Sequence, residues 1–368
     1  MTDRDYMNRA IDLAVKAVGH TNPNPMVGAV IVKDGGIIGE GYHERIGDLH
    51  AERNALKNCK EDPNGATIYV TLEPCCHHGK QPPCTDALIE SGIKKVVIGS
   101  RDPNPQVSGK GVKFLRDAGI EVVEDFMRKE CDDINPVFMK YIVNKEPFVA
   151  LKYAMTADGK LATDTGKSKW ITGDSARNHV QYLRSYYKGI LVGIGTVLAD
   201  DPLLTSRMEG GRNPVRIVLD SSLRIPEESK LVKTAFDAPV IVCALKKNEA
   251  YKEFNEKKER LEEKGVKVLL FNDCDNEVDI EEMLRTLGKM DIDGILVEGG
   301  GKVNSTFLKL RKVDRVHMYI GGKIFGGTGR FTPMNGFGVS EVEDALILEE
   351  PKIELFGNDI LVTYKAGV

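Results

Sequence analysis

The sequence predicts an α/β protein of two domains, on three observations. Its 368 residues exceed what one hydrophobic core usually supports. Stretches with strand-like and helix-like apolar periodicity alternate along most of the chain, the pattern of mostly parallel sheets with helices on their faces. A helical stretch from Met127 to about Val143 then runs into Asn144, Lys145, Glu146 and Pro147. Polar residues closed by a proline mark a boundary, so the expected domains are residues 1–145 and 146–368.

The elements follow in order. Asp3 to Val18 has helical spacing of apolar residues. VGAVIVKDGGIIGEGYH reads as two strands joined at Asp34, Gly35 and Gly36, which is hairpin chemistry. HAERNALKNC is helical, ATIYVTLEP a strand, CTDALIESG a short helix ended by Gly92, and KKVVIGSRDP a strand. GKGVKFLRDAG and IEVVED complete the first half as helix and strand. The second half restarts with the strand PFVALKYAMTADG. GILVGIG, PVRIVLD, PVIVCAL, VKVLLFN, DGILVEGG and VHMYIGG are further strands. Helices are expected at Asp174–Tyr187, Asn248–Lys264, Asp279–Lys289 and Val303–Leu310, and ALILEEPKIELFGNDILVTYKA closes the chain as a hairpin turning at Gly357, Asn358 and Asp359.

Composition narrows the class. The chain is 41% hydrophobic and 29% charged, without biased tracts or a fixed-period repeat, so disordered and solenoid architectures drop out. The formal charge of −4 spreads over both halves without a basic stripe. That argues against long nucleic acid as a partner and leaves room for a local phosphate pocket. The opening MTDRDYMNRAIDLAVKAV is charged from its third residue, unlike a signal peptide, and no segment approaches the ~18 consecutive apolar residues of a membrane span. A cytoplasmic protein without a membrane partner is expected, with a homo-oligomer as its assembly.

Cys59, Cys131, Cys243 and Cys274 are scattered singly and read as buried or half-buried small hydrophobes. Cys75, Cys76 and Cys84 instead crowd into ten residues with His77 and His78, which in a reducing compartment points to metal. The most informative pattern is His50-Ala51-Glu52 followed by Pro74-Cys75 and Cys84. Hydrolytic deamination at zinc needs three protein ligands and a position open to water, whose pKa the metal lowers to roughly 7. A carboxylate that does not bind the metal then carries a proton from that water to the leaving amine. His50 and Glu52 open one expected helix and Cys84 another, and helix starts favour thiolate over thiol. The usual second cysteine would fall at residue 78, where this chain has His78, and eight residues separate Cys75 from Cys84 in CCHHGKQPPC. A structural zinc site with Cys76 or His78 as fourth ligand is the competing reading, and it leaves Glu52 without a task.

That long loop resembles the deaminase half of the bifunctional riboflavin-biosynthesis deaminase/reductases, where Glu-Pro-Cys and Pro-Pro-Cys bracket such an insertion. The resemblance implies zinc ligands His50, Cys75 and Cys84, with Glu52 as proton shuttle and Cys76, His77 and His78 outside the coordination sphere. It further implies a pocket for base and ribose phosphate lined by Asn24, His43, His77, Lys80, Asp102 and Asn104. Read as residues alone, Asp102-Pro103-Asn104-Pro105 is a good turn.

In the second half, DGILVEGGGKVNSTFL is a strand, a glycine-rich turn and a helix, able to approach a phosphate but without G-x-G-x-x-G spacing. LKYAMTADGKLAT resembles the opening strand of reductases with the dihydrofolate reductase fold, and GIGTVLADDPLLTSR the substrate and cofactor loop of the riboflavin-pathway reductases. Both halves together imply a cytidine-deaminase-like three-layer α/β domain followed by a dihydrofolate-reductase-like α/β domain. They imply NADPH contacts at Ala154, Trp170, Thr196, Asp200, Ser222, Gly300, Gly301, Lys302, Val303, Asn304, Ser305 and Thr306. Substrate contacts fall at Ser168, Arg184, Leu204, Arg207 and Glu298. Arg184 and Arg207 suit a phosphate clamp, although each also suits a solvated surface, and Trp170 suits core packing. The implied substrate is a phosphorylated diamino-pyrimidinone ribosylamine, deaminated at zinc and then reduced from ribosyl to ribityl with NADPH. Two rival readings remain: a nucleoside or RNA-editing deaminase with an accessory domain, and a non-catalytic nucleotide-binding regulator with structural zinc.

Overall fold

Thr2 caps the first helix, α1 (Asp3–Ala14): its side chain accepts from Asp5 N, and the Asp5 carboxylate accepts from Thr2 N at 2.7 Å. The structure is a computed structural model that describes every residue except 77–81, 106, 328, 337 and 368. It divides into two units, Met1–Lys145 and Glu146–Val368.

In the first unit, α1 stops at Ala14 and tightens into a 3₁₀ turn, Val15–Ala17, short of the expected Val18. β1 (Gly28–Lys33) and β2 (Gly36–Tyr42) form the hairpin, with Asp34 and Gly35 both left-handed at φ 49° and 78°, as a two-residue turn of this twist demands. α2 (Ala51–Lys57), β3 (Thr67–Leu72), α3 (Cys84–Glu90), β4 (Lys95–Ser100), α4 (Lys110–Asp117) and β5 (Glu121–Val123) follow. The sheet order is β2-β1-β3-β4-β5. Only β3-β4-β5 is parallel; β1 runs antiparallel to both its neighbours, because the tight hairpin reverses the chain. Strand alternation separates two cores. Val30, Val32, Tyr69 and Val97 face α1, whereas Ala29, Ile31, Ile68, Val70, Val96 and Ile98 face α2, α3 and α4. The result is a three-layer sandwich.

The helix expected over Met127–Val143 is two helices, α5 (Arg128–Ile134) and α6 (Pro136–Asn144). Pro136 has no N–H to continue α5, so it starts α6 instead.

The second unit contains β6 (Phe148–Thr156), α7 (Asp174–Tyr186), β7 (Gly189–Gly193), α8 (Ile194–Asp200), β8 (Val215–Leu219), α9 (Lys230–Lys233) and β9 (Val240–Leu245). It continues with α10 (Lys252–Glu263), β10 (Val266–Phe271), β11 (Asp273–Cys274), β12 (Glu277–Val278), α11 (Ile280–Lys289), β13 (Gly294–Val297), α12 (Gly301–Lys309), β14 (Arg315–Gly321), β15 (Leu348–Phe356) and β16 (Asp359–Ala366). Nine strands pair in the order β10-β9-β8-β7-β13-β6-β14-β16-β15, parallel up to β14 and antiparallel in the final hairpin. α8 and α9 were not foreseen; each is only one or two turns long, too short for periodicity to register. Cys131 and Cys243 are core residues and Cys59 is half-buried, but Cys274 is exposed, because β11 belongs to a two-stranded ribbon outside the main sheet. Among the described residues no helix is long and apolar enough to cross a membrane.

Candidate active sites

Gly39 and Gly41 let α2 lie directly on β2, since a Cβ on either would have no room against Ala55. This close approach brings the start of α2 to the end of β3. His50 is the N-cap of α2 and uses no side-chain cap bond, so its imidazole is available elsewhere. Its Nδ1 lies 3.5 Å from Cys75 Sγ and 3.3 Å from Cys84 Sγ. Cys75 follows β3, and Cys84 is the first residue of α3, where its N–H donates to Cys75 Sγ at 3.4 Å. One ligand atom from each of the three residues falls within 4.8 Å of the others, and among the described residues no fourth histidine, cysteine or carboxylate joins them. Two sulfurs and one imidazole nitrogen are the donor set of a zinc site with an open position.

Charges around the cluster favour a cation. The Cys84 thiol donates to Cys75 and, with His50, pulls the Cys75 thiol well below the ordinary range. The same contact pushes Cys84 up, and His50 is raised by its bond to Cys75. Glu52, 3% exposed on the first turn of α2, is raised by burial first and by the negative Cys75 second. An upward shift is the direction a proton carrier needs.

A cavity of about 340 Å³ adjoins the cluster and is lined by Glu52, His50 and Cys75 together with Asn24, His43, Asp102 and Asn104. His43 faces Leu49 O with Nδ1 at 3.1 Å and the Asn24 amide with Nε2 at 3.4 Å. Those partners assign a neutral ring that donates from Nδ1, and burial lowers its pKa accordingly. Burial raises Asp102 to about 6, and its carboxylate accepts from Asn104 N at 2.8 Å. His77 and Lys80 lie outside the described residues. Sequence reasoning missed Glu73, whose carboxylate accepts from Gly109 N and Gly111 N, both at 3.1 Å, and so ties the metal strand to α4. It also missed Phe138 and Ile142 in the cavity wall, residues that carry no chemical signal of their own.

In the second unit, α8 begins directly after β7 and α12 three residues beyond β13, both at the carboxyl ends of neighbouring parallel strands. Ligands of α/β sheets bind at that edge. Thr196 and Asp200 lie on α8, Gly301 to Thr306 on α12 with Gly300 as its N-cap, Ala154 on β6, and Ser222 just past β8. A Cβ on Gly300 would meet open space, and Asn304 Oδ1 is buried without a partner among the described residues, so polar capacity remains at this helix start. Trp170 is not core: it is 59% exposed, with the Arg177 guanidinium 4.6 Å above its ring. Its neighbour Lys169 pairs with Asp200 at 3.4 Å, and Ser168 is half-buried beside them in sequence.

The two arginines part company. Arg184 closes on Glu298 and on Thr205 O, at 3.2 Å from the latter, instead of standing free for a phosphate. Arg207 is exposed and makes no ion pair among the described residues; its N–H is held by Gln181 Oε1 at 3.2 Å. Leu204 buries its side chain in the core, which leaves its backbone to meet a ligand. Sequence reasoning missed Lys152, which reaches Glu298 at 3.4 Å from inside β6, where an apolar residue would be the default.

A three-layer sandwich with this sulfur–imidazole cluster over a buried carboxylate defines the class of zinc-dependent deaminases, here joined to a second α/β unit. Comparison with known proteins agrees. Residues 1–100 match the cytidine and deoxycytidylate deaminase zinc-binding region, and residues 147–362 match the RibD C-terminal domain. The riboflavin biosynthesis protein RibD of Actinobacillus pleuropneumoniae is 52% identical over 364 residues, 99% of this chain and 95% of that one. That of Aquifex aeolicus is 44% identical over 99% of this chain and 98% of its own. The crystal structure of Acinetobacter baumannii RibD superposes with a TM-score of 0.88 at 35% identity, covering 100% and 99% of the two chains. A Thermotoga maritima deaminase/reductase superposes at 0.86 with 44% identity, covering 99% and 98%. The chain belongs to the RibD family of riboflavin biosynthesis proteins. It is a bifunctional enzyme, a zinc-dependent deaminase and an NADPH-dependent reductase.

Proposed function

We propose that the first unit, residues 1–145, deaminates 2,5-diamino-6-(5-phosphoribosylamino)pyrimidin-4-one and that the second, residues 146–368, reduces the ribosyl side chain of the product to ribityl. The observation that carries the reading is the convergence of His50, Cys75 and Cys84 within 4.8 Å beside a buried Glu52. His50, Cys75 and Cys84 would hold the zinc, which when bound supplies a water acidified to near neutrality. Glu52 takes that water's proton and delivers it to the exocyclic amine, so that a C–O bond replaces the C–N bond and ammonia leaves. Asn24, His43, Asp102 and Asn104, with His77 and Lys80 outside the described residues, would line the pocket for the base and ribose phosphate. In the second unit Ala154, Trp170, Thr196, Asp200, Ser222 and Gly300 to Thr306 would hold NADPH, which when bound supplies the hydride. Ser168, Leu204, Arg207 and Glu298 place the sugar and its phosphate, and Arg184 acts on the substrate through Glu298.

A cytoplasmic location and a homo-oligomer complete the reading. Ile353 and Leu355, 68% and 74% exposed on the edge strand β15, support the latter, being apolar surface of the kind an assembly covers. Sedimentation analysis tests it, and a monomer at all concentrations removes it.

A coupled assay on this substrate, following ammonia and NADPH separately, tests both activities. Glu52→Gln should keep its zinc, lose deamination by about 10²–10⁴-fold and leave reduction of separately supplied deaminated product intact. Undiminished ammonia release would take Glu52 out of the mechanism.

A further inference from the structure

The zinc-binding region matched in this chain ends at residue 100, yet the cavity beside the metal cluster continues past it. Phe138 and Ile142 form part of its wall. They lie four residues apart on α6 and therefore share one helix face. Phe138 is 7% exposed, so its side chain is buried where it lines the cavity.

Asn135 holds this helix in place. It is 4% exposed, in the break between α5 and α6. Its amide takes both backbone groups of Met26: Nδ2 donates to Met26 O at 2.7 Å, and Oδ1 accepts from Met26 N at 2.8 Å. The two residues are 109 positions apart in the chain. A side chain that satisfies both backbone groups of one residue imitates a rung of strand pairing and fixes distance and direction together. Met26 stands two residues after Asn24, whose amide meets His43 in the cavity. One buried amide thus registers the polar wall against the apolar wall.

We propose that Phe138 and Ile142 are specificity-determining residues of the deamination, an apolar surface for the flat face of the pyrimidine. Asn135 is the positioning residue that sets them against Asn24. The proposal rests on reading the cavity as the deaminase pocket. Polar groups from Asn24, Asp102 and Asn104 suit the edge of a heteroaromatic ring, whereas its face needs an apolar wall, to which Pro25, Val27, Ile46 and Leu72 contribute from the first hundred residues and Phe138 and Ile142 from α6. An apolar contact of this kind is worth about tenfold or more in discrimination.

The test uses the full-length zinc-loaded enzyme and 2,5-diamino-6-(5-phosphoribosylamino)pyrimidin-4-one, with NADPH oxidation on separately supplied deaminated product as the internal control. Phe138→Ala and Asn135→Leu should raise the deaminase KM about tenfold or more while kcat stays within about threefold. Zinc content and the reductase rate should not change. Phe138→Leu, which keeps an apolar wall, should recover most of the lost affinity. An unchanged KM overturns the proposal, as does a fall of kcat and zinc content together at constant KM. Should Asn135→Leu fail to fold, Phe138→Ala, Phe138→Leu and Ile142→Ala decide the matter alone. If the unaltered enzyme releases no ammonia from this compound, the reading of the cavity itself fails, before any variant is compared.

Discussion

Arg184 and Glu298 share a two-pronged salt bridge, Nε to Oε1 at 2.8 Å and Nη2 to Oε2 at 3.1 Å, with side chains only 16% and 10% exposed. The pair joins α7 to the residue that follows β13. Burial alone would push the Glu298 carboxyl up, but the charges of Arg184 and Lys152 outweigh it and hold it at about 2. Removing one member of such a pair strands a buried charge. Arg184→Ala should therefore destabilise the second unit by about 3–5 kcal/mol. Fluorescence reads this directly, because Trp170 is the chain's one tryptophan and lies in that unit. An unshifted denaturant midpoint would show that the bridge contributes nothing.

The second unit should lose stability on acidification in two stages. His317 is buried between Tyr187 OH at 3.1 Å and Thr363 Oγ1 at 3.2 Å, and burial lowers its pKa from 6.5 to about 3. Below pH 6.5 the unfolded chain binds a proton that the folded chain refuses, so stability falls as pH drops from 6.5 toward 3. Glu298 adds a second loss between its unfolded value of 4.5 and about 2, since its carboxylate form is the one the fold stabilises. Each group contributes at most about 1.4 kcal/mol per pH unit in its window. Urea midpoints measured from pH 7 to 5 check the first stage, and His317→Gln should remove most of its slope. A variant with the full slope would move the cause elsewhere.

Metal binding should separate the clustered cysteines. Cys84→Ser is expected to lose zinc and deamination together, whereas Cys76→Ser keeps both, because Cys76 is not among the three residues that converge. Neither change should alter NADPH oxidation when the deaminated product is supplied directly. Metal analysis alongside the two rates measures this, and zinc loss in Cys76→Ser would restore the four-ligand structural reading.

What could be read from the sequence depended on how local the cause was. The Asp34–Gly35 turn, the helical spacing of α1 and the short motifs His50-Ala51-Glu52 and Pro74-Cys75 each carry their signal within a few residues. Break points and pairings that depend on distant partners did not show. Pro136 sits inside an otherwise helical pattern and breaks it, but the bond of Asn135 to Met26 that anchors the break joins residues 109 positions apart. The antiparallel pairing of β1 with β3 was hidden, because apolar content alone does not say which strands become neighbours. Phe138, Ile142 and Lys152 gain their roles from which cavity or carboxylate they face, and that is tertiary information. Arg184 and Arg207 looked equivalent as basic residues and differ only because Glu298 meets one of them.

Arg207 is the sharper test of the second site for that reason. Its side chain is exposed and makes no ion pair among the described residues, while its backbone is anchored to Gln181, one turn before Arg184 on α7. An exposed guanidinium on an anchored backbone is suited to a phosphate, with hydrogen bonds to a charged group worth about 1.5–3 kcal/mol. Arg207→Ala should raise the reductase KM by roughly 10- to 100-fold, in keeping with that energy, with little change in folding stability. Arg184→Ala differs in losing stability as well as rate. Ammonia release should be untouched in Arg207→Ala, since the residue belongs to the other unit. Equal loss of both activities in that variant would mean that the two reactions do not have separate sites.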